Sequence, residues 1–130
     1  MLPNRFQDWF AARGWQPRAH QLALVDHASR GNSVLLVAPT GGGKTLAGFL
    51  PSLIDLAELD KSAAPRPGPK RSRKSALHTL YISPLKALAV DVARNLDAPI
   101  AQMDLAVTVE TRTGDTPAAS VSAMPRLTSC

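Results

Sequence analysis

Gly41-Gly42-Gly43-Lys44-Thr45 is the stretch of this 130-residue sequence whose residue types and spacing are best suited to chemistry. Consecutive glycines let a backbone turn tightly with its amides facing inward, where a Cβ would keep an anion away. A helix starting near Lys44 aims its unpaired N–H groups and the positive end of its dipole at the same point. Lys44 supplies a mobile charge for the β- and γ-phosphates of a nucleotide, and the Thr45 hydroxyl supplies an oxygen ligand for Mg²⁺. With Thr40 at its entrance, the segment reads as a phosphate-binding loop. It departs from G-x-x-x-x-G-K-[ST] at one place, since Ala38 stands where the first glycine is expected. The apolar run Val34–Val37 before the loop, and Leu46, Phe49, Leu50, Leu53 and Ile54 after it, provide the strand–loop–helix setting the motif requires.

Three further places carry polar groups that such a loop can use. Gln21 lies just inside a helix ahead of the loop, and its amide matches the donor and acceptor of an adenine edge. A solvated surface glutamine is the alternative reading of the same residue. Ser83-Pro84-Leu85-Lys86 places a lysine and free backbone amides after an apolar run, which suits either a phosphate or an ordinary strand–helix junction with an exposed Lys86. Arg112-Thr113-Gly114-Asp115 follows a third apolar run, and turn chemistry alone accounts for Gly114 and Asp115. His20, His27 and His78 have no partners at metal-ligand spacing.

The elements that must position these residues follow from periodicity. Phe6, Trp9 and Phe10 recur at helical spacing over residues 4–13, with Gly14 as the cap and Phe6 and Phe10 facing the core. Pro17 opens a second helix over 18–29 that ends at Gly31 and Asn32, with Leu22, Val25 and Leu24 turned inward. The helix after the loop extends to about residue 59, and Pro51 in its interior predicts a kink or break. Residues 60–75 are rich in proline and base and predict a surface loop. Residues 77–82 read as a second buried strand. A helix with Ser83 as N-cap and Pro84 in its first turn follows to about residue 96, striped by Leu85, Leu88, Ala89, Val92 and Leu96. Residues 106–111 read as a third strand. Strand–loop–helix, strand–helix, strand predicts an α/β domain with a parallel sheet and right-handed crossovers. Ligands of such folds bind at the carboxyl ends of the strands, which places the loop, Ser83–Lys86 and Arg112–Asp115 on or near one edge.

Composition narrows the class. The chain is 45% hydrophobic, enough for one core, and its net charge is +5. Lys61, Arg66, Lys70, Arg71, Arg73 and Lys74 fall in one short segment without an acid; outside those six, nine positive residues face ten negative ones, a net of −1. The basicity is therefore local, and either solvation or contact with a polyanion explains it. No apolar run approaches the length of a membrane span, and the first residues show no basic-then-apolar pattern. The single cysteine, Cys130, forms no internal disulfide. These features point to the cytoplasm.

In their order along the chain, these elements resemble a superfamily 2 helicase. Trp15-x-Pro-Arg-x-x-Gln21 resembles the Q motif, and Ala38-Pro-Thr-Gly-Gly-Gly-Lys-Thr45 resembles motif I. Ser83-Pro-Leu-Lys-Ala-Leu88 resembles motif Ia, and Thr113-Gly-Asp115 the motif Ib region. Phe10-x-x-Arg-Gly-Trp15, Leu46-Ala-Gly-Phe-Leu-Pro-Ser-Leu53 and Leu80–Asn95 narrow the likeness to Lhr-type, ligase-associated DEXH-box DNA helicases, over residues 5–118. The resemblance implies an incomplete RecA-like P-loop NTPase domain at residues 1–118, with ATP and Mg²⁺ as cofactors. Arg18 and Gln21 would read adenine, Thr40–Thr45 would hold the triphosphate, Lys44 and Thr45 would be catalytic, and Thr45 would ligate the metal. Pro84, Lys86, Arg112, Thr113 and Gly114 would contact DNA, single-stranded or with a 3′ tail, in an ATP-driven 3′-to-5′ translocase of DNA repair. A DNA ligase and a nuclease of the same system would be partners.

One departure matters. No Asp-Glu-x-His run occurs in the sequence, and such an acid positions Mg²⁺ and the attacking water in this kind of enzyme. The resemblance therefore implies the first part of a motor domain, with weak nucleotide binding and no unwinding. A non-catalytic nucleotide- or DNA-binding chain is the competing expectation. A small-molecule P-loop kinase would explain neither Gln21 nor Ser83–Lys86. Residues 119–130 no longer resemble the family, and shifting the reading frame of permitted codons restores Gln-Arg-Gln-Arg-His-Ala-Pro-Pro-Asp-Ile-Leu, so an unstructured, out-of-frame tail is expected there.

Overall fold

The computed structural model describes residues 2–39, 41–62 and 77–116. Thr40, most of the basic segment and the 119–130 tail lie outside the described residues. Among the described residues four helices are formed: α1 (Asn4–Ala12), α2 (Ala19–Ser29), α3 (Lys44–Ser62) and α4 (Lys86–Gln102).

Three of the four helices end in the same way, and the ends show why the chain turns where it does. At the end of α1 the Gly14 N–H bonds to Ala11 O at 2.9 Å and the Trp15 N–H to Phe10 O at 2.9 Å. This double closure needs a left-handed residue, and Gly14 has φ +65. Gly31 and Asn32 close α2 on Ala28 and His27 with the same pattern, as the sequence predicts. Asp104 and Leu105 repeat it on Ala101 and Ile100 after α4. There the left-handed position is taken by a non-glycine, Asp104 at φ 46. An aspartate tolerates that conformation better than most residues, but it gives a weak stop signal in the sequence. The helix therefore runs six residues past the expected end at 96, through Pro99, whose ring is buried.

The core is built from the helices and the residues that flank them. Leu2, Phe6, Trp9 and Phe10 from the α1 region meet Leu50, Leu53 and Ala57 of α3 and Leu96, Met103 and Leu105 at the end of α4. Phe6 and Leu50 are fully enclosed. α3 continues through Pro51 to Ser62, so the expected break does not occur and the helix covers the first residues assigned to the basic loop.

Two helices keep part of the expected inner face, with Leu24 and Val25 in α2 and Ala89, Val92 and Leu96 in α4 turned inward, and depart from it elsewhere. In α2 the buried residue is Gln21, while Leu22 is 41% exposed. Gln21, Leu24, Val25 and Ala28 recur at i, i+3, i+4 and i+7 and form the inner stripe. In α4 the stripe is Ala89, Val92, Leu96 and Pro99, and Leu85 and Leu88 lie outside it, both exposed. The helix begins at Lys86, two residues later than expected. Pro84 therefore precedes it, and Ser83 caps only its own turn, accepting from the Leu85 N–H at 3.3 Å.

The expected parallel sheet is not observed among the described residues. Residues 34–37, 77–82 and 106–111 form no ladder with one another. A strand of a parallel sheet needs a partner beside it and helices over both faces. Here α1, α3 and α4 satisfy one another, and the first two runs pass largely outside their core, with Leu35 88% exposed, Val37 85% and Ile82 80%, while Val107 of the third packs against it. A tight turn at Leu105, whose carbonyl accepts the Val107 N–H at 2.8 Å, also diverts the third run at its start.

Candidate functional site

The glycine loop has the geometry its sequence demands. Gly41 and Gly43 sit at φ +76 and +72. A Cβ on Gly42 would come within 2.9 Å of the Pro39 carbonyl oxygen, a backbone atom that cannot swing aside. The Gly42 N–H closes the turn on that same carbonyl at 3.2 Å, and α3 begins with the Ala47 N–H bonding to Gly43 O at 3.0 Å. Lys44 folds back over the loop and donates to Ala38 O at 2.6 Å and Pro39 O at 2.7 Å. The ammonium is thereby held above the turn, within reach of any anion that the amides of the loop and of α3 accept. Thr45 is half-buried beside it.

Gln21 is built into this loop from below. Its Oε1 accepts the Arg18 N–H at 2.9 Å, capping the start of α2. Its Nε2 donates to Gly43 O at 3.4 Å, and a Cβ on Gly43 would approach that nitrogen to 2.9 Å. At 3% exposure Gln21 is the one buried polar side chain of the described core, so the solvated reading of this residue does not hold. Next to it, His20 keeps a buried Nε2 without a hydrogen-bond partner.

A second neighbour reaches the loop from the 77–82 segment. Lys44, Thr45, Gly48, Phe49, Thr79, Leu80, Tyr81 and Val92 surround a cavity of about 170 Å³, and the Phe49 and Tyr81 rings lie 5.5 Å apart. The loop helix and the second apolar run are thus adjacent although no ladder joins them. Farther along, Lys86 and Asp115 form an ion pair, which brings the Ser83–Lys86 and Arg112–Asp115 segments together. Arg112 pairs with Glu110 at 2.8 Å. The Thr113 N–H donates to Thr116 Oγ1 at 2.9 Å, while Pro84 and Gly114 are exposed. Gly114 has no left-handed φ and open space where its Cβ would stand, so local packing does not require glycine there.

One cluster escaped the sequence reading. Arg13 lies 4.3 Å from the Trp9 ring centre and 5.4 Å from that of Trp15, and Trp9 Nε1 donates to Gln102 Oε1 at 3.0 Å. Trp9, Arg13 and Gln102, with Arg5, Asp8 and Asp104, frame an open groove of about 810 Å³ between α1 and the end of α4, which shares no residue with the loop. The Arg13–Trp15 proximity follows from the closure of α1 by Gly14. Among the described residues, no group of three potential ligands gathers at metal distance.

The DEAD/DEAH box helicase family model matches residues 18–129, which takes in the Gln21 cap, the glycine loop and the Lys86–Asp115 junction. The chain belongs to this family. Membership implies the RecA-like α/β fold and the ATP-dependent helicase class, and the Lhr-type resemblance holds in the relatives as well. The chain is 38% identical to a Lhr helicase and probable uracil glycosylase of Mycolicibacterium smegmatis, over 85% of this chain and 7% of that protein. It is 37% identical to the Lhr helicase and uracil glycosylase of Escherichia coli, over 97% of this chain and 9% of the relative. It is 36% identical to the ATP-dependent helicase Lhr-Core of Methanothermobacter thermautotrophicus, over 75% and 11%. The chain therefore spans about a tenth of the length of these helicases. No solved structure gives a significant match. No helix among the described residues is long and apolar enough to cross a membrane.

Proposed function

We propose that this DEAD/DEAH-family chain binds ATP with Mg²⁺ at the Thr40–Thr45 loop and single-stranded DNA along Pro84, Lys86, Arg112, Thr113 and Gly114, as part of an ATP-driven DNA translocase of repair. The observation that carries the reading is the junction of Gln21 with the loop. A buried amide links the start of α2, where Arg18 lies, to the carbonyl of Gly43 at the start of α3. A nucleotide with its phosphates on the loop would then present its base to the Arg18–Gln21 side. To read it, Gln21 would have to release the Arg18 N–H and the Gly43 carbonyl, as Lys44 releases its own carbonyls. The residues fit a triphosphate: backbone amides of Gly41–Gly43, the Lys44 ammonium, and the Thr45 hydroxyl as one oxygen ligand of a Mg²⁺ otherwise held by phosphates and water. Bound nucleotide must take Lys44 from the carbonyls of Ala38 and Pro39, so phosphate binding also frees the turn before the loop. Under this reading the 34–37, 77–82 and 106–111 runs pair as the parallel sheet of a RecA-like domain, which would cover their exposed apolar side chains.

Binding without turnover is the second reading, favoured by one sequence fact: these 130 residues contain no Asp-Glu-x-His run to position an attacking water. Calorimetric titration with ATP and GTP, followed by ATP turnover with and without single-stranded DNA, tests both. Saturable ATP binding lost in Lys44→Ala supports the site, and DNA-stimulated turnover favours the first reading over the second. Absence of nucleotide binding in the folded chain refutes both. A ligase or nuclease partner belongs to the same proposal and is tested by co-purification.

A further inference from the structure

The two cations of the proposed DNA edge are both held by carboxylates of this chain. Lys86, the first residue of α4, pairs with Asp115 across 29 positions of sequence. Arg112 pairs with Glu110 at 2.8 Å. The edge is thereby electrically self-neutralised. Both acids sit on the 106–116 segment, Glu110 two residues from Arg112 and Asp115 reaching across to α4. Lys86 and Asp115 are 60% and 76% exposed, so a phosphate has free access to both.

We propose that Asp115, with Glu110 as its counterpart on Arg112, acts as an intramolecular stand-in for a nucleic-acid phosphate: it orients Lys86 toward the edge and must be displaced before a backbone phosphate binds there. The inference rests on the DNA-edge reading above and adds to it a positioning residue that adjusts the affinity. Any phosphate binding at Lys86 competes with a carboxylate already in place, so the intrinsic affinity of the edge is lowered by the worth of that pair. An exposed pair of this kind is worth little in water and less with salt, which makes it a fine adjustment that ionic strength can erase.

Fluorescence anisotropy of a short labelled oligodeoxythymidylate with the 130-residue chain tests the proposal, with circular dichroism verifying that each variant keeps its helices. Asp115→Asn is expected to tighten binding about two- to fivefold at low salt, with the gain shrinking as salt rises. Asp115→Glu is expected to retain the original affinity. In a Lys86→Ala background Asp115→Asn is expected to gain nothing, because its effect passes through Lys86. A gain that persists in that background would mean plain charge repulsion and overturn the proposal. Unchanged affinity in Asp115→Asn, with Lys86→Ala weakened, would also overturn it while leaving the DNA edge intact. Binding indifferent to both Lys86→Ala and Arg112→Ala, or no binding at all, would remove the edge and the proposal together.

Discussion

Replacing Gly43 by alanine tests the join between Gln21 and the loop, and Gly41 provides the control. Both glycines have left-handed φ, +72 and +76, so either alanine carries the same backbone penalty. That penalty is about 1–2 kcal/mol. The surroundings differ. A Cβ at Gly41 meets nothing within 4 Å, whereas one at Gly43 meets Gln21 Nε2 at 2.9 Å. The end of a glutamine normally swings away at small cost, but this one is 3% exposed and its Oε1 is tied to the Arg18 N–H. Displacing it breaks the 3.4 Å bond to Gly43 O and disturbs the cap of α2. A net hydrogen bond is worth about 1 kcal/mol, and a buried amide group left unpaired costs about 1–3 kcal/mol. Gly43→Ala should therefore destabilise the chain by about 1–2 kcal/mol more than Gly41→Ala, read from urea unfolding followed by far-ultraviolet circular dichroism. In a Gln21→Ala background the two alanines should cost the same, since the obstructing amide is gone. Equal costs in the native background would refute the reasoning, because Gln21 would then not be fixed against the loop.

Lys44→Ala should weaken ATP binding by about 1.5–3 kcal/mol, the range for hydrogen bonds to a charged group, with GTP weakened alike; calorimetry checks both. Gln21→Ala should narrow the gap between ATP and GTP affinity, and an unchanged ratio in the folded variant would remove Gln21 from base reading. Phe6→Ala should cost about 3–5 kcal/mol of stability, since the ring is fully enclosed among α1, α3 and α4. Leu22→Ala, on the exposed side of α2, should stay within about 0.5 kcal/mol in the same unfolding assay.

The helices and the loop were legible because their signals are local. Glycines at 14 and 31 fix helix ends through their own backbone, and Gly41–Gly43 need left-handed or Cβ-free geometry whatever surrounds them. The errors arose where a position depends on something distant. Leu22 and Gln21 are neighbours on α2, and hydrophobicity alone selects Leu22; only the loop carbonyl makes Gln21 the inward residue. Pro51 reads as a kink or break, yet α3 continues because a proline forfeits one bond and some steric freedom while packing against the core holds the remainder. The last turn of α4 was hidden because its left-handed closing residue is Asp104 rather than glycine.

The unpaired apolar runs and the well-formed loop are compatible because the two depend on different partners. The loop is anchored at both sides by helices: α3 carries it forward from Lys44, and α2 supports it through Gln21. α3 in turn is fixed by Leu50, Leu53 and Ala57 against α1 and the end of α4. Phosphate-binding geometry therefore needs no ladder bond from Val34–Val37. DNA contact is different, since Lys86 and Arg112 belong to separate segments whose spacing a sheet would normally set. In the present arrangement Lys86–Asp115 is what joins those segments, and it is exposed and open to screening. That pair opens when a phosphate takes Lys86, so nucleotide binding should tolerate loss of sheet pairing better than DNA binding does. DNA binding should also fall more steeply with salt because it rests on exposed phosphate contacts, a difference that the two binding assays read directly in one preparation.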